Sequence, residues 1–210
     1  MSAISPVPLH DAVSQIDEIQ RRLAHAETFR GYRAATIAGT AVFALIGAAL
    51  QTRIAPRPQE QPITYVTIWG SIAAACLLFS VGQVIWRAWS SGSRLTTRQT
   101  WLALQQFLPC PFAGAVVTAV ISESVPDALW LLPGLWSLFF GLGVWASRRL
   151  LPGPVAAVGI YYLLAGSACF FTGRGEWACS PWLMLLTFGI GQTALAVIMY
   201  SYLEQSDAAA

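Results

Sequence analysis

Uncharged apolar runs of about twenty residues, the length a helix needs to cross a bilayer, follow one another along this chain with short polar joints between them. No other feature restricts the fold as strongly. Hydrocarbon offers a backbone no water to bond with, so each run must satisfy its own N–H and C=O groups, which a helix does. The expected fold class is all-α, a polytopic membrane protein. Composition agrees: hydrophobic residues make up 56% and charged residues 10%, against about 25% charged in a soluble domain.

Six transmembrane helices are expected, at Ala34 to Leu50, Ile63 to Trp86, Trp101 to Ser122, Leu129 to Ser147, Val155 to Thr172 and Trp182 to Tyr202. Proline-rich and polar joints separate them, such as Gln51 to Pro62, read as a non-helical loop,. Ser180-Pro181 has the form of an N-cap followed by proline in the first turn,. The division is residues 1–33 as a cytoplasmic amphipathic helix with an interfacial anchor, 34–203 as a six-helix membrane domain, and 204–210 as a cytoplasmic tail.

Arginines orient the spans, since basic residues favour the cytoplasmic side. All basic residues are arginine, and Arg21, Arg22, Arg30, Arg33, Arg87, Arg94, Arg98, Arg148 and Arg149 fall at one side, against Arg53, Arg57 and Arg174 at the other. Both termini are therefore expected in the cytoplasm. Abundant alanine and the absence of lysine suggest a bacterial cytoplasmic (inner) membrane. The first thirty residues lack a basic region followed by an apolar core, so no cleaved signal peptide is expected,.

In the N-terminal segment Leu9, Ala12, Ile16, Ile19, Leu23 and Ala26 make a narrow apolar stripe at alternating three- and four-residue spacing, with Asp17–Arg21 and Glu18–Arg22 as i,i+4 pairs,. The stripe suits a short coiled coil with a protein partner or a second copy of the chain, or a helix lying in the headgroup plane. The plainer reading is a helix packed on the protein's own cytoplasmic surface.

A short pattern recurs in the even spans: Phe79-Ser80-Val81-Gly82-Gln83, Phe140-Gly141-Leu142-Gly143-Val144 and Phe188-Gly189-Ile190-Gly191-Gln192. Leu108-Pro109-Cys110-Pro111 also resembles Leu151-Pro152-Gly153-Pro154. Together these suggest a threefold repeat of a helical hairpin. Gly159, Gly166 and Gly173 fall seven apart on the fifth span, a groove that invites another helix,.

Chemistry has few places to sit. No ionisable side chain lies well inside a span, no histidine lies in the membrane, and no nucleophile, phosphate-loop or metalloprotease motif occurs,. The cysteines Cys76, Cys110, Cys169 and Cys179 lack the spacing of a metal site,. Cys169 and Cys179 are the candidate disulfide. Remaining polar features are Gln83, Gln105, Gln106 and Gln192, with Pro109, Cys110 and Pro111 as a kink that frees carbonyls,. Glu123 and Asp127 are candidate acids at the outer mouth.

A net charge of +2 distributed by topology argues against nucleic-acid binding,. The expectation is a non-enzymatic accessory or regulatory subunit acting through protein contacts, with lipid around it and neither cofactor nor metal. The alternative is a small permease, or a binder of lipid or another small ligand, lined by Gln83, Gln105, Gln192 and the kink at Pro109.

Overall fold

The structure is a computed structural model, and it describes residues 34–91, 94–171 and 177–208, with side chains described over 36–86, 89–90, 98, 101–171 and 177–201. The apolar stripe at Leu9, Ile16, Ile19 and Leu23 lies outside the described residues. Those described are helical throughout, joined by turns: α1 is Ala34–Ile54, α2 Pro62–Ser91, α3 Arg94–Phe107, α4 Pro109–Ser124, α5 Leu132–Ala146, α6 Val155–Phe171, α7 Pro181–Met184 and α8 Ile190–Ala208. Two 3-10 segments, Pro126–Leu131 and Ser147–Arg149, flank α5, and a π-helical segment, Leu185–Gly189, joins α7 to α8.

By length and composition five helical stretches could cross a membrane: Thr36–Ile54, Pro62–Trp86, Trp101–Ser124, Pro126–Arg149 and Pro181–Ser201. Helix α6 is apolar but only 17 residues long, about 26 Å at 1.5 Å per residue. The exterior is that of a lipid-facing bundle, with Leu78 74%, Phe112 71% and Phe171 91% exposed. Such side chains on a soluble surface would form an aggregating patch. Of the acids and arginines whose side chains are described, Arg53, Arg57, Glu60, Glu123, Asp127, Arg148 and Arg149 lie at or beyond helix ends, and Arg98 lies in the second turn of α3.

Successive spans pack side by side. Helix α1 contacts α2, α2 contacts α3 and α4, α4 contacts α5, α5 contacts α6, α6 contacts α8, and α8 returns to α1. The neighbours run antiparallel: Gly47 and Gly39 of α1 meet Trp69 and Phe79 of α2, and Gly134 and Gly141 of α5 meet Gly166 and Gly159 of α6. The turn at Glu123 and the loop at Arg148 therefore lie at opposite ends of the bundle.

Glycine sets the tightest of these contacts. A Cβ on Gly166 would stand 2.8 Å from the Gly134 carbonyl oxygen, and one on Gly141 would stand 3.1 Å from that of Gly159. Backbone faces backbone there, so dispersion between closely packed helices replaces the hydrophobic force that lipid cannot supply. At Gly159 and Gly166 the glycine groove read on the fifth span is occupied by α5, while Gly173 lies outside the described residues.

Several boundaries differ from the expected ones. The first span does not stop at Leu50: α1 continues to Ile54 and buries Gln51 to 1% exposure, because the side chain finds partners inside the bundle. The third is two helices, α3 and α4, meeting at Leu108, which keeps right-handed angles (φ −59°, ψ −31°). Pro109 and Pro111 lack N–H donors, so the carbonyls of Gln105 and Phe107 lose their intrahelical partners there. The last span is widened at Leu185–Gly189 and its helix runs on to Ala208, into the segment expected to be a tail.

The repeated pentapeptides occupy unlike surroundings. In α5 both glycines face neighbours, Gly141 toward α6 and Gly143 toward Phe107 and Cys110. In α2 a Cβ on Gly82 would meet nothing within 4 Å, and in the last span Gly189 meets only its own Leu185.

Candidate functional site

Two polar and aromatic centres lie within the bundle, built from residues that water-free packing forces to find partners. The first sits at the end carrying the 55–61 and 177–180 turns. Gln51 Nε2 donates to the Cys179 carbonyl at 2.7 Å, and Trp69 Nε1 donates to Gln51 Oε1 at 2.8 Å. One glutamine thus ties α1, α2 and the turn before α7 together. Beside it Tyr65 stacks on Trp136 with ring centres 6.2 Å apart, and Trp136 Nε1 donates to Thr118 Oγ1 at 2.8 Å. The chain of contacts reaches α4 and α5. The Tyr65 hydroxyl is buried without a hydrogen-bond partner.

The second centre lies near the middle of the spans and is organised on Phe140. Its ring meets Phe107 at 5.6 Å, Tyr162 at 4.7 Å and Phe188 at 6.0 Å, so residues from α3, α5, α6 and the π segment converge on one point. Tyr162 is fully buried, and Gly191 is glycine because a Cβ there would fall 2.5 Å from the Tyr162 hydroxyl oxygen. On the flank the Thr40 hydroxyl, 2.6 Å from the Ile37 carbonyl and 2.9 Å from Gln192 Oε1, shares its one proton between two acceptors. The Ser137 hydroxyl is buried without a partner.

The π segment belongs to this centre. Widening a helix by one residue offsets its carbonyls from their usual donors, and side-chain hydroxyls address the carbonyls around it. The Tyr161 hydroxyl donates to the Leu186 carbonyl, Thr187 Oγ1 to the Leu183 carbonyl at 2.9 Å, and Thr193 Oγ1 to the Gly189 carbonyl at 2.7 Å.

The residues singled out in the sequence are not gathered into one pocket. Gln192 is buried and engaged with Thr40, not with Gln83, which is half-buried on α2. Gln105, Gln106 and Pro109 are exposed, while Cys110 and Pro111 are half-buried beside them. The kink rests on α5 through Phe107 and Cys110 against Gly143. Glu123 and Asp127 are both exposed.

Cys169 and Cys179 are buried thiols with no disulfide between them, so the candidate pairing is not formed. Burial pushes the Cys179 thiol up to about 11, because the protein interior disfavours the thiolate,. Among the described residues no three His, Cys, Asp or Glu side chains gather as a metal set. A groove of about 400 Å³ opens outward between α1 and α2, lined by Leu50, Ile54, Ile63, Thr67 and Ser71 among others.

Of these residues the sequence singles out Gln192 alone as a candidate polar group, and the convergence of the rings and the role of Gln51 are not legible in it. Gln51 was assigned to a loop by the prolines that follow it. The tyrosine pair at Tyr161 and Tyr162 was the available signal for the second centre, since two phenolic groups in mid-span need partners or space.

These elements define a multi-pass α-helical membrane protein. No family model matches the sequence, and neither a curated protein nor a solved structure is found to match it.

Proposed function

We propose that the chain is a non-enzymatic integral membrane protein, an accessory or regulatory subunit that acts through contacts with another protein or a second copy of itself. The supporting observation is the filled centre at Phe140, where rings from four elements touch at mid-span. A permease needs a path or a vacated site at that depth, and here the aromatic rings occupy it and Gln192 is engaged by Thr40.

In this reading α6 is the sixth crossing, short but held at the depth of α5 by the paired glycines. The end bearing Arg98, Arg148 and Arg149 is the cytoplasmic side of a bacterial inner membrane, with both termini on it,. The meeting of Phe140 with Phe188 supports an ancestral hairpin repeat, two of whose phenylalanines now share the core.

Two measurements test the proposal. A photocrosslinking residue at Ile16 or Leu23 in the full chain should give a discrete adduct in native membranes, lost when residues 1–28 are removed while the spans still insert. The protein in proteoliposomes should show no saturable solute flux. Saturable uptake that Gln192→Leu abolishes would replace this reading with the permease.

A further inference from the structure

At the end of the bundle opposite Glu60, Glu123 and Asp127, three arginine side chains are exposed: Arg98 on α3, and Arg148 and Arg149 on the 3-10 turn after α5. The two elements are in contact, with Ala103 of α3 and Leu150 after the turn packed in one cluster with Val84. The acids whose side chains are described are all at the far end, and none of the three arginines has an ion-pair partner among the described residues. Glu204 and Asp207, near the end of α8, have side chains outside those described.

The Arg148 guanidinium carbon lies 4.4 Å from the centre of the Trp145 ring. A planar cation held over a ring keeps its N–H edge free for two parallel bonds to a phosphate. The turn carrying it is fixed by hydrogen bonds from Leu150 N to the Ser147 carbonyl and from Leu151 N to that of Arg148. Exposed tryptophans lie on the helices at the same end, Trp86 and Trp89 near the end of α2 and Trp101 on α3, being 69%, 76% and 62% exposed. Indole rings of this kind sit at headgroup level.

We infer that this end of the bundle is a binding surface for anionic phospholipid headgroups, with Arg98, Arg148 and Arg149 as the phosphate-binding groups and Trp145 as the residue that positions Arg148. Positive charge without an ion-pair partner among the described residues, beside apolar helix flanks and interfacial indoles, matches one ligand that carries both a phosphate and acyl chains. A free phosphate would use the arginines alone. A juxtamembrane basic cluster is what anionic lipid recognises.

The test uses the full chain in neutral detergent, titrated with phosphatidylglycerol or phosphatidylcholine and read as lipid retained per protein by native mass spectrometry. Phosphatidylglycerol should be retained in preference. Arg98→Gln, Arg148→Gln and Arg149→Gln should each weaken its retention about fivefold, whereas Arg53→Gln at the other end should not. Arg148→Lys, which keeps the charge but not the planar fork, should lose part of the effect. Millimolar inorganic phosphate should fail to compete. Equal retention of the two lipids, equal loss in Arg53→Gln, or full competition by phosphate would overturn the inference. Failure of the membrane reading would look different, as a chain that stays in solution without detergent.

Discussion

At the scale of single residues, the bundle contrasts polar groups that have partners with others that do not. Gln51 satisfies the Trp69 N–H and the Cys179 carbonyl together, so Gln51→Leu leaves both unpaired in a water-poor interior. It should destabilise the protein by about 1–3 kcal/mol, read as a lower melting temperature in detergent. Ser137 presents a fully buried hydroxyl to no partner. Ser137→Ala removes that cost and should leave stability unchanged or raise it by about 1 kcal/mol. Tyr161 offers a further test, because its hydroxyl bonds the Leu186 carbonyl. Tyr161→Phe should lower stability by roughly 0.6 kcal/mol, the average for such bonds in membranes, read as a lower melting temperature in the same detergent.

Cys179 carries the pH dependence that can be assigned. Its thiol is raised to about 11 in the fold, above its value of about 8.5 in an unfolded chain. The folded state therefore holds its proton longer than the unfolded state. The stability it contributes is complete below about pH 8.5 and is lost as pH rises through about 11. Maleimide labelling of Cys179 in the folded protein should stay slow at neutral pH, and fast labelling at pH 7 would contradict the burial described.

At the scale of elements, close approach is set by glycine. Gly166→Ala would press a methyl group against the Gly134 carbonyl, 2.8 Å from where the Cβ must lie. Backbone cannot give way cheaply, so a loss of about 1–3 kcal/mol is expected. Gly70→Ala on α2 meets nothing within 4 Å and should be neutral or gain about 0.5–1 kcal/mol from helix propensity. Measuring both in one detergent separates packing from propensity. Equal effects would mean that α5 and α6 do not meet as described. The spacing of Gly159 and Gly166 was legible in the sequence, since glycines seven apart share a helix face. Their partners Gly134 and Gly141 share the same spacing, but no local rule pairs the two helices.

At the scale of the whole molecule, the alternation of spans puts the Glu123 turn and the Arg148 loop at opposite ends. Single cysteines at Glu123 and Arg148 should therefore react with an impermeant maleimide from opposite sides of sealed vesicles. Labelling of both from one side would dismantle the topology.

What the sequence determined by itself is the medium, the existence of the helices and the placement of charge. These depend on local properties: apolar length, arginine position, and proline or glycine at the joints. Only the tertiary structure decided that Gln51 belongs inside, that Phe140 is the hub, that Cys169 and Cys179 remain thiols, and that the last span widens at Leu185–Gly189. Lipid is as apolar as leucine, so hydropathy ranks every face of a membrane helix alike. The choice among faces falls to shape and hydrogen bonding between residues far apart in the chain.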